Sequence, residues 1–106
     1  MPGTEEIMLN ITKQSENGKA VINLSGDLDT LTADELRNEV DGFLEGVTDM
    51  TLDLEGLDYI TSAGLRVILD IQKTMDNQGE MRVLHVCEDV MDVFELSGFT
   101  KILTIE

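Results

Sequence analysis

The sequence predicts an α/β fold: a single domain in which a mixed β-sheet of four to five strands is covered largely on one side by helices. Three observations carry that expectation. The first apolar residues alternate with polar ones at the period of a strand and lead into an Asn-Gly pair, the signature of a hairpin. After it, segments with apolar residues spaced three and four apart separate short apolar runs, as helical crossovers between parallel strands do. Finally, 106 residues suffice for one core and are too few for two.

Each element has a local reason. Residues 7–14 place Ile7, Leu9 and Ile11 on one side and Met8, Asn10 and Thr12 on the other, the pattern of a half-buried strand. Residues 1–6 ahead of it read as an N-terminal extension. Asn17-Gly18 favours the positive φ of a tight turn, and residues 20–24 supply a second apolar run that pairs antiparallel with the first. Ser25-Gly26-Asp27-Leu28-Asp29-Thr30 is expected to break this strand. Leu31, Ala33, Leu36, Val40, Phe43 and Leu44 then trace a helical face as far as Gly46. Thr32 and Glu35 have the spacing of a capping box, with Asp29 and Thr30 as alternative caps.

Residues 50–54 form a short buried strand closed by Glu55-Gly56, and an acidic loop leads to Thr61-Ser62. A helix is expected from about residue 63 to residue 78, with Leu65, Ile68, Leu69, Gln72 and Met75 on one face and Gly79 at its C-terminal turn. Residues 81–86 are a further strand. Glu88-Asp89 puts acid at the start of a third helix carrying Val90, Met91, Phe94 and Leu96, which Ser97-Gly98 ends. Residues 101–105 add an edge strand, so the order is β-β-α-β-α-β-α-β.

Seven Lys and Arg against 22 Asp and Glu give a net charge of −15. Such a surface repels phosphate backbones and anionic lipid, which argues against direct nucleic-acid or membrane binding and favours a basic protein partner. Plain solubility explains the charge equally well. Pro2-Gly3-Thr4-Glu5-Glu6 has neither a basic nor an apolar leader region, and no apolar run has membrane-spanning length, so a cytoplasmic location is expected. Cys87 stands alone, which excludes an internal disulfide. With His85 two residues away it makes no metal-ligand set, and neither metal nor cofactor is expected.

The residues with a special address are Thr61 and Ser62, where a strand hands over to a helix. Serine and threonine cap helices because their oxygens accept from backbone N–H groups that lack carbonyl partners. The same N–H groups and the positive end of the helix dipole also seat an anion, so a phosphate on Ser62 would be stabilised by its own chain. Other chemistries fit less well. Asp27, Asp29, Asp53 and Asp58 could be imagined as a carboxylate cluster for a divalent metal, but Asp53 alternates with Leu52 and Leu54 inside a strand and solvated acidic loops are the default. An acyl carrier protein is an all-helical bundle, which the hairpin excludes. Gly56 and Gly64 meet neither phosphate-loop pattern.

Gly26-Asp27-Leu28-Asp29, the run from Leu52-Asp53-Leu54 to Thr61-Ser62-Ala63-Gly64-Leu65, and Phe94-Glu95-Leu96-Ser97-Gly98-Phe99 together resemble the STAS domain, and within it the bacterial anti-sigma-factor antagonists. The resemblance spans about residues 7–105. It implies a non-enzymatic protein-binding module whose unphosphorylated form engages an anti-sigma factor with serine-kinase activity and releases a sigma factor or other output protein. A serine phosphatase would reset it. The phosphoacceptor falls on Ser62, with Thr61 as the less favoured alternative. The implied binding surface comprises Asp27, Asp29, Thr30, Thr61, Ser62, Gly64, Leu65 and Arg66. Thr61 departs from the aspartate that commonly precedes the acceptor, and Ala63 from a serine often seen after it.

Read physically, Gly64 would let a partner's backbone or nucleotide approach closely, and Arg66, one turn past Ser62, could reach back to a phosphate. The alternative is a constitutive scaffold or small-ligand sensor with Ser62 as a mere cap; an enzyme using the aspartates is a third reading. A monomer is expected.

Overall fold

The Asn17-Gly18 turn forms as its chemistry dictates. Both residues take positive φ, 53° and 81°, and join β1 (Leu9–Glu16) to β2 (Lys19–Leu28) as an antiparallel hairpin in which Glu16 faces Lys19. The structure, a computed structural model, describes residues 8–106. Ile7, expected in the first strand, lies outside them.

From β2 the chain enters α1 (Ala33–Val40), returns as β3 (Asp49–Ile60), crosses through α2 (Ser62–Asp76) to β4 (Glu80–Leu84), and ends with α3 (Glu88–Leu96) and a short 3₁₀ turn, Phe99–Lys101. Among the described residues the four strands form one sheet in the order β1-β2-β3-β4, the first pair antiparallel and the others parallel. This is the expected mixed sheet. One of its faces is buried: Ala20, Ile22 and Leu24 of β2, Met50, Leu52 and Leu54 of β3, and Met81 and Val83 of β4 lie under Ile68, Ile71, Met75, Val90 and Phe94 of the helices in a single core. The alternate residues Asn23, Thr51, Asp53 and Arg82 face away and keep contact with water.

Most boundaries fall within two residues of the expected ones, and four differ by more. Residues 25–28 do not break the second strand; β2 continues to Leu28 through two register irregularities against β3, so Ser25, Gly26 and Asp27 stay in the sheet. Likewise Glu55-Gly56 does not close the central strand, which runs twelve residues to Ile60. The first helix stops at Val40 rather than near Gly46, because Gly42 and Gly46 take φ of 79° and 81° and turn the chain out of helical geometry. Gln78 secures that turn by donating to the Leu44 and Val47 carbonyl oxygens, both at 2.6 Å. Finally, residues 101–105 do not form a strand. Ile105 makes one parallel bridge to Val83, after a 3₁₀ turn entered through Gly98 at φ 77°.

Candidate functional site

Because β2 and β3 are parallel, their C-terminal ends meet at one edge of the sheet, with Asp27 beside Tyr59 and Leu28 beside Ile60. Open α/β sheets place ligand sites at such edges. Here one strand passes into the turn 29–32 and the other directly into α2. The Thr61 N–H donates to the Leu28 carbonyl at 3.0 Å and ties the two connections together.

Ser62 is the first residue of α2 and is exposed. Its hydroxyl stands at the positive end of a fifteen-residue helix, among N–H groups that have no carbonyl four residues back. Thr61 occupies the N-cap position in extended backbone, φ −110° and ψ 177°, yet its side chain makes no capping bond. Its Oγ1 is buried and has no partner among the described residues. Of the two adjacent hydroxyl-bearing residues, Ser62 is exposed, while the Thr61 oxygen is closed off from solvent.

Two further expectations change. Gly64 is buried, and a Cβ there would stand 2.6 Å from Leu28 Cγ, 2.8 Å from the Leu28 carbonyl oxygen and 3.0 Å from Ile60 Cγ1. The close approach that its missing side chain permits is made by the protein's own strands, not by a partner. Leu65 is also buried, its N–H donating to the Thr61 carbonyl at 2.9 Å. Arg66 is exposed on the following turn.

The turn after β2 is built by Asp29. Its carboxylate accepts from the Leu31 N–H at 2.9 Å and the Thr32 N–H at 3.0 Å, while the Asp29 N–H donates to the Thr32 hydroxyl at 2.8 Å. The Thr32 hydroxyl in turn donates to the Asp27 carbonyl at 2.8 Å. The expected Thr32–Glu35 capping box is thus replaced by Asp29, one of the two alternatives. The Thr32 N–H, aided by that of Leu31, holds the Asp29 carboxyl below the usual carboxylate range.

Two apolar side chains that the sequence reading missed stand out at this edge. Leu31 is 72% exposed and Tyr59 is 54% exposed, close to Thr30 and Asp58, which are also exposed. Leu31 had been expected on the buried face of the first helix; it precedes that helix and its N–H is held by Asp29. The signal for Tyr59 was the pair of glycines, Gly26 and Gly56, near which β2 and β3 lose strict register.

A second cluster lies away from this edge. His85, at φ 59°, follows β4 and points Nδ1 to Asp53 Oδ1 at 3.0 Å, and the Asp53 carboxylate also accepts from the Glu55 N–H at 3.0 Å. Asp53 raises the pKa of His85 by hydrogen bonding and by charge.

The STAS domain model matches residues 10–106. This chain belongs to the STAS domain family. Among curated relatives of this STAS domain, BtrV of Bordetella bronchiseptica is 34% identical over 99 residues, covering 92% of this chain and 85% of its own. The anti-sigma F factor antagonist of Paenibacillus polymyxa is 33% identical over 100 residues, covering 92% of this chain and 86% of its own. The fold matches the anti-sigma factor antagonist SpoIIAA, solved in its unphosphorylated form, with a TM-score of 0.79 at 21% identity over 92% of this chain and 88% of that one. SpoIIAA has also been solved in a phosphorylated form, which gives a TM-score of 0.71.

Proposed function

We propose that this STAS domain is an anti-sigma-factor antagonist switched by phosphorylation of Ser62. In its unmodified form it engages an anti-sigma factor with serine-kinase activity, so that a sigma factor or another output protein is released. The kinase inactivates it by modifying Ser62, and a serine phosphatase restores it. The observation that carries this reading is the exposed Ser62 hydroxyl on the first residue of α2, at the same sheet edge as the Asp27–Thr30 turn. The anti-sigma factor antagonists among its relatives support it.

The energetics work in the same direction. Unmodified Ser62 is small and neutral, and Leu31 and Tyr59, exposed at the same sheet edge, offer apolar surface to a partner. A phosphate adds about −1.5 to −2 charges at pH 7 to a chain already at −15. The free protein tolerates that charge, because the N-terminus of α2 stabilises it. Within an interface the dianion must be desolvated on a chain already strongly acidic, which costs about 3 kcal/mol, on the order of a hundredfold in affinity. Nothing in the cycle asks the domain to catalyse a reaction, and it acts as a cytoplasmic monomer.

The test is a pull-down from the native host's lysate with wild type, Ser62→Ala and Ser62→Asp as baits, read by mass spectrometry. A kinase-like anti-sigma factor held by the Ala bait and lost from the Asp bait is the expected result. Equal capture by all three baits would return Ser62 to the role of a structural residue in a constitutive scaffold.

A further inference from the structure

We propose that Asp53, Glu55 and His85 form a surface site for a divalent transition-metal ion of the zinc class. One donor atom from each of the three residues lies within 4.8 Å of the others. They come from different parts of the chain: Asp53 and Glu55 from β3, His85 from the residue just after β4, which pairs with β3 so that Leu84 stands beside Asp53. Register therefore brings the imidazole over the carboxylates.

The spacing suits chelation. Two donors each about 2.0–2.1 Å from a zinc ion stand about 2.9–3.4 Å apart for angles between right and tetrahedral. His85 Nδ1 and Asp53 Oδ1 are 3.0 Å apart. With the imidazole neutral and its proton on Nε2, a modest rotation of the exposed ring lets the Nδ1 and Oδ1 lone pairs converge on an ion, which replaces the hydrogen bond between them. Glu55 is exposed, so its side chain swings in to supply the third donor. The Glu55 N–H bond to Asp53 at 3.0 Å survives binding and orients the carboxylate, as partners behind metal ligands do.

One imidazole with two carboxylates selects the ion. Nitrogen and oxygen donors in a three-ligand set bind zinc-class cations with water at the remaining position, whereas Mg²⁺ and Ca²⁺ prefer oxygen alone. Asp53 and Glu55 themselves line an open groove on the uncovered sheet face together with Asn10, Thr12, Asn23 and Ser25, which leaves space for that water. A bound ion would staple the central strand to the connection between β4 and α3 and raise thermal stability with concentration. The site is separate from the Ser62 edge and does not depend on the proposed switch.

The sequence has a single histidine and a single cysteine, which makes the test clean. Untagged protein is titrated calorimetrically with Zn²⁺ and, for contrast, Mg²⁺. The variants are His85→Asn, Asp53→Asn and Cys87→Ser; asparagine tolerates the left-handed backbone of residue 85, so the fold is kept. Expected are one Zn²⁺ per wild-type chain, no comparable Mg²⁺ binding, at least about tenfold weaker Zn²⁺ binding in the first two variants, and no change in the third. Co²⁺ should also broaden the NMR signals of the wild-type imidazole selectively, a readout that needs no variant. Absence of one-to-one Zn²⁺ binding, equal affinity in His85→Asn, loss of binding in Cys87→Ser, or an imidazole untouched by Co²⁺ would each overturn the assignment.

Discussion

Replacing Gly64 by alanine pits helix propensity against packing, and the geometry decides the sign. Gly64 has no positive φ, so alanine meets no backbone penalty there, and in an open helix the change would stabilise by about 0.4–1 kcal/mol. At this position the added Cβ meets Leu28 Cγ at 2.6 Å, Ile60 Cγ1 at 3.0 Å and the Leu28 carbonyl oxygen at 2.8 Å. Leu28 is fully buried and cannot swing away, and its carbonyl also accepts the Thr61 N–H. The start of α2 must therefore lift from the strand ends. Overpacking of this kind costs about 1–3 kcal/mol, which exceeds the propensity gain and leaves the variant about 1–2 kcal/mol less stable. Urea unfolding followed by circular dichroism reads this as a lower midpoint with an unchanged slope, and thermal unfolding as a drop of about 4–8 °C per kcal/mol. An alanine variant as stable as wild type, or more so, would refute the close packing of α2 on β2. Because Ser62 lies on the same turn, binding of the proposed partner should weaken as well.

Other perturbations test the remaining pieces. Leu31→Ser and Tyr59→Ser should each change stability by less than about 0.5 kcal/mol, since both side chains are mostly exposed, yet lower affinity for the captured anti-sigma factor about tenfold in direct binding measurements. Asp29→Ala should destabilise the protein at neutral pH. The native carboxyl titrates below its unfolded value, so its contribution is present above that unfolded value and is lost as pH falls through the native one; the variant's acid unfolding curve should lack this step. His85 has the opposite sign. Its raised pKa means that pairing with Asp53 stabilises fully below the unfolded value of about 6.5 and fades as pH rises through the native one. The NMR titration midpoint of the imidazole should stand above that reference in wild type and fall toward it in Asp53→Asn.

The elements that were legible before folding are those whose cause is local. Asn17-Gly18 specifies its turn by backbone preference alone, and the three-and-four spacing from Leu65 to Met75 specifies α2 because every contact it needs lies on one face. The ends of β2 and β3 were hidden, because a strand stops where its neighbour stops. Gly26 and Glu55-Gly56 look like breaks until each is paired with the other strand through a bulge. Phe43 and Leu44 continue a helical pattern, but the glycines on either side of them turn the chain, and the buried faces settle in a turn anchored by Gln78.

By itself the sequence determined the single domain, the order of the elements up to the last strand, the strongly acidic charge and a hydroxyl at the head of the second helix. Only the tertiary structure decided which of two adjacent hydroxyls is open, since Thr61 turns its oxygen inward and Ser62 turns outward. It likewise decided that Gly64 serves internal packing, that Asp29 builds a turn, and that His85 meets Asp53 across 32 positions of chain. Propensity and periodicity act over a few residues; which side chains share a space depends on strand register and helix docking, and those are set by the burial of the whole core at once.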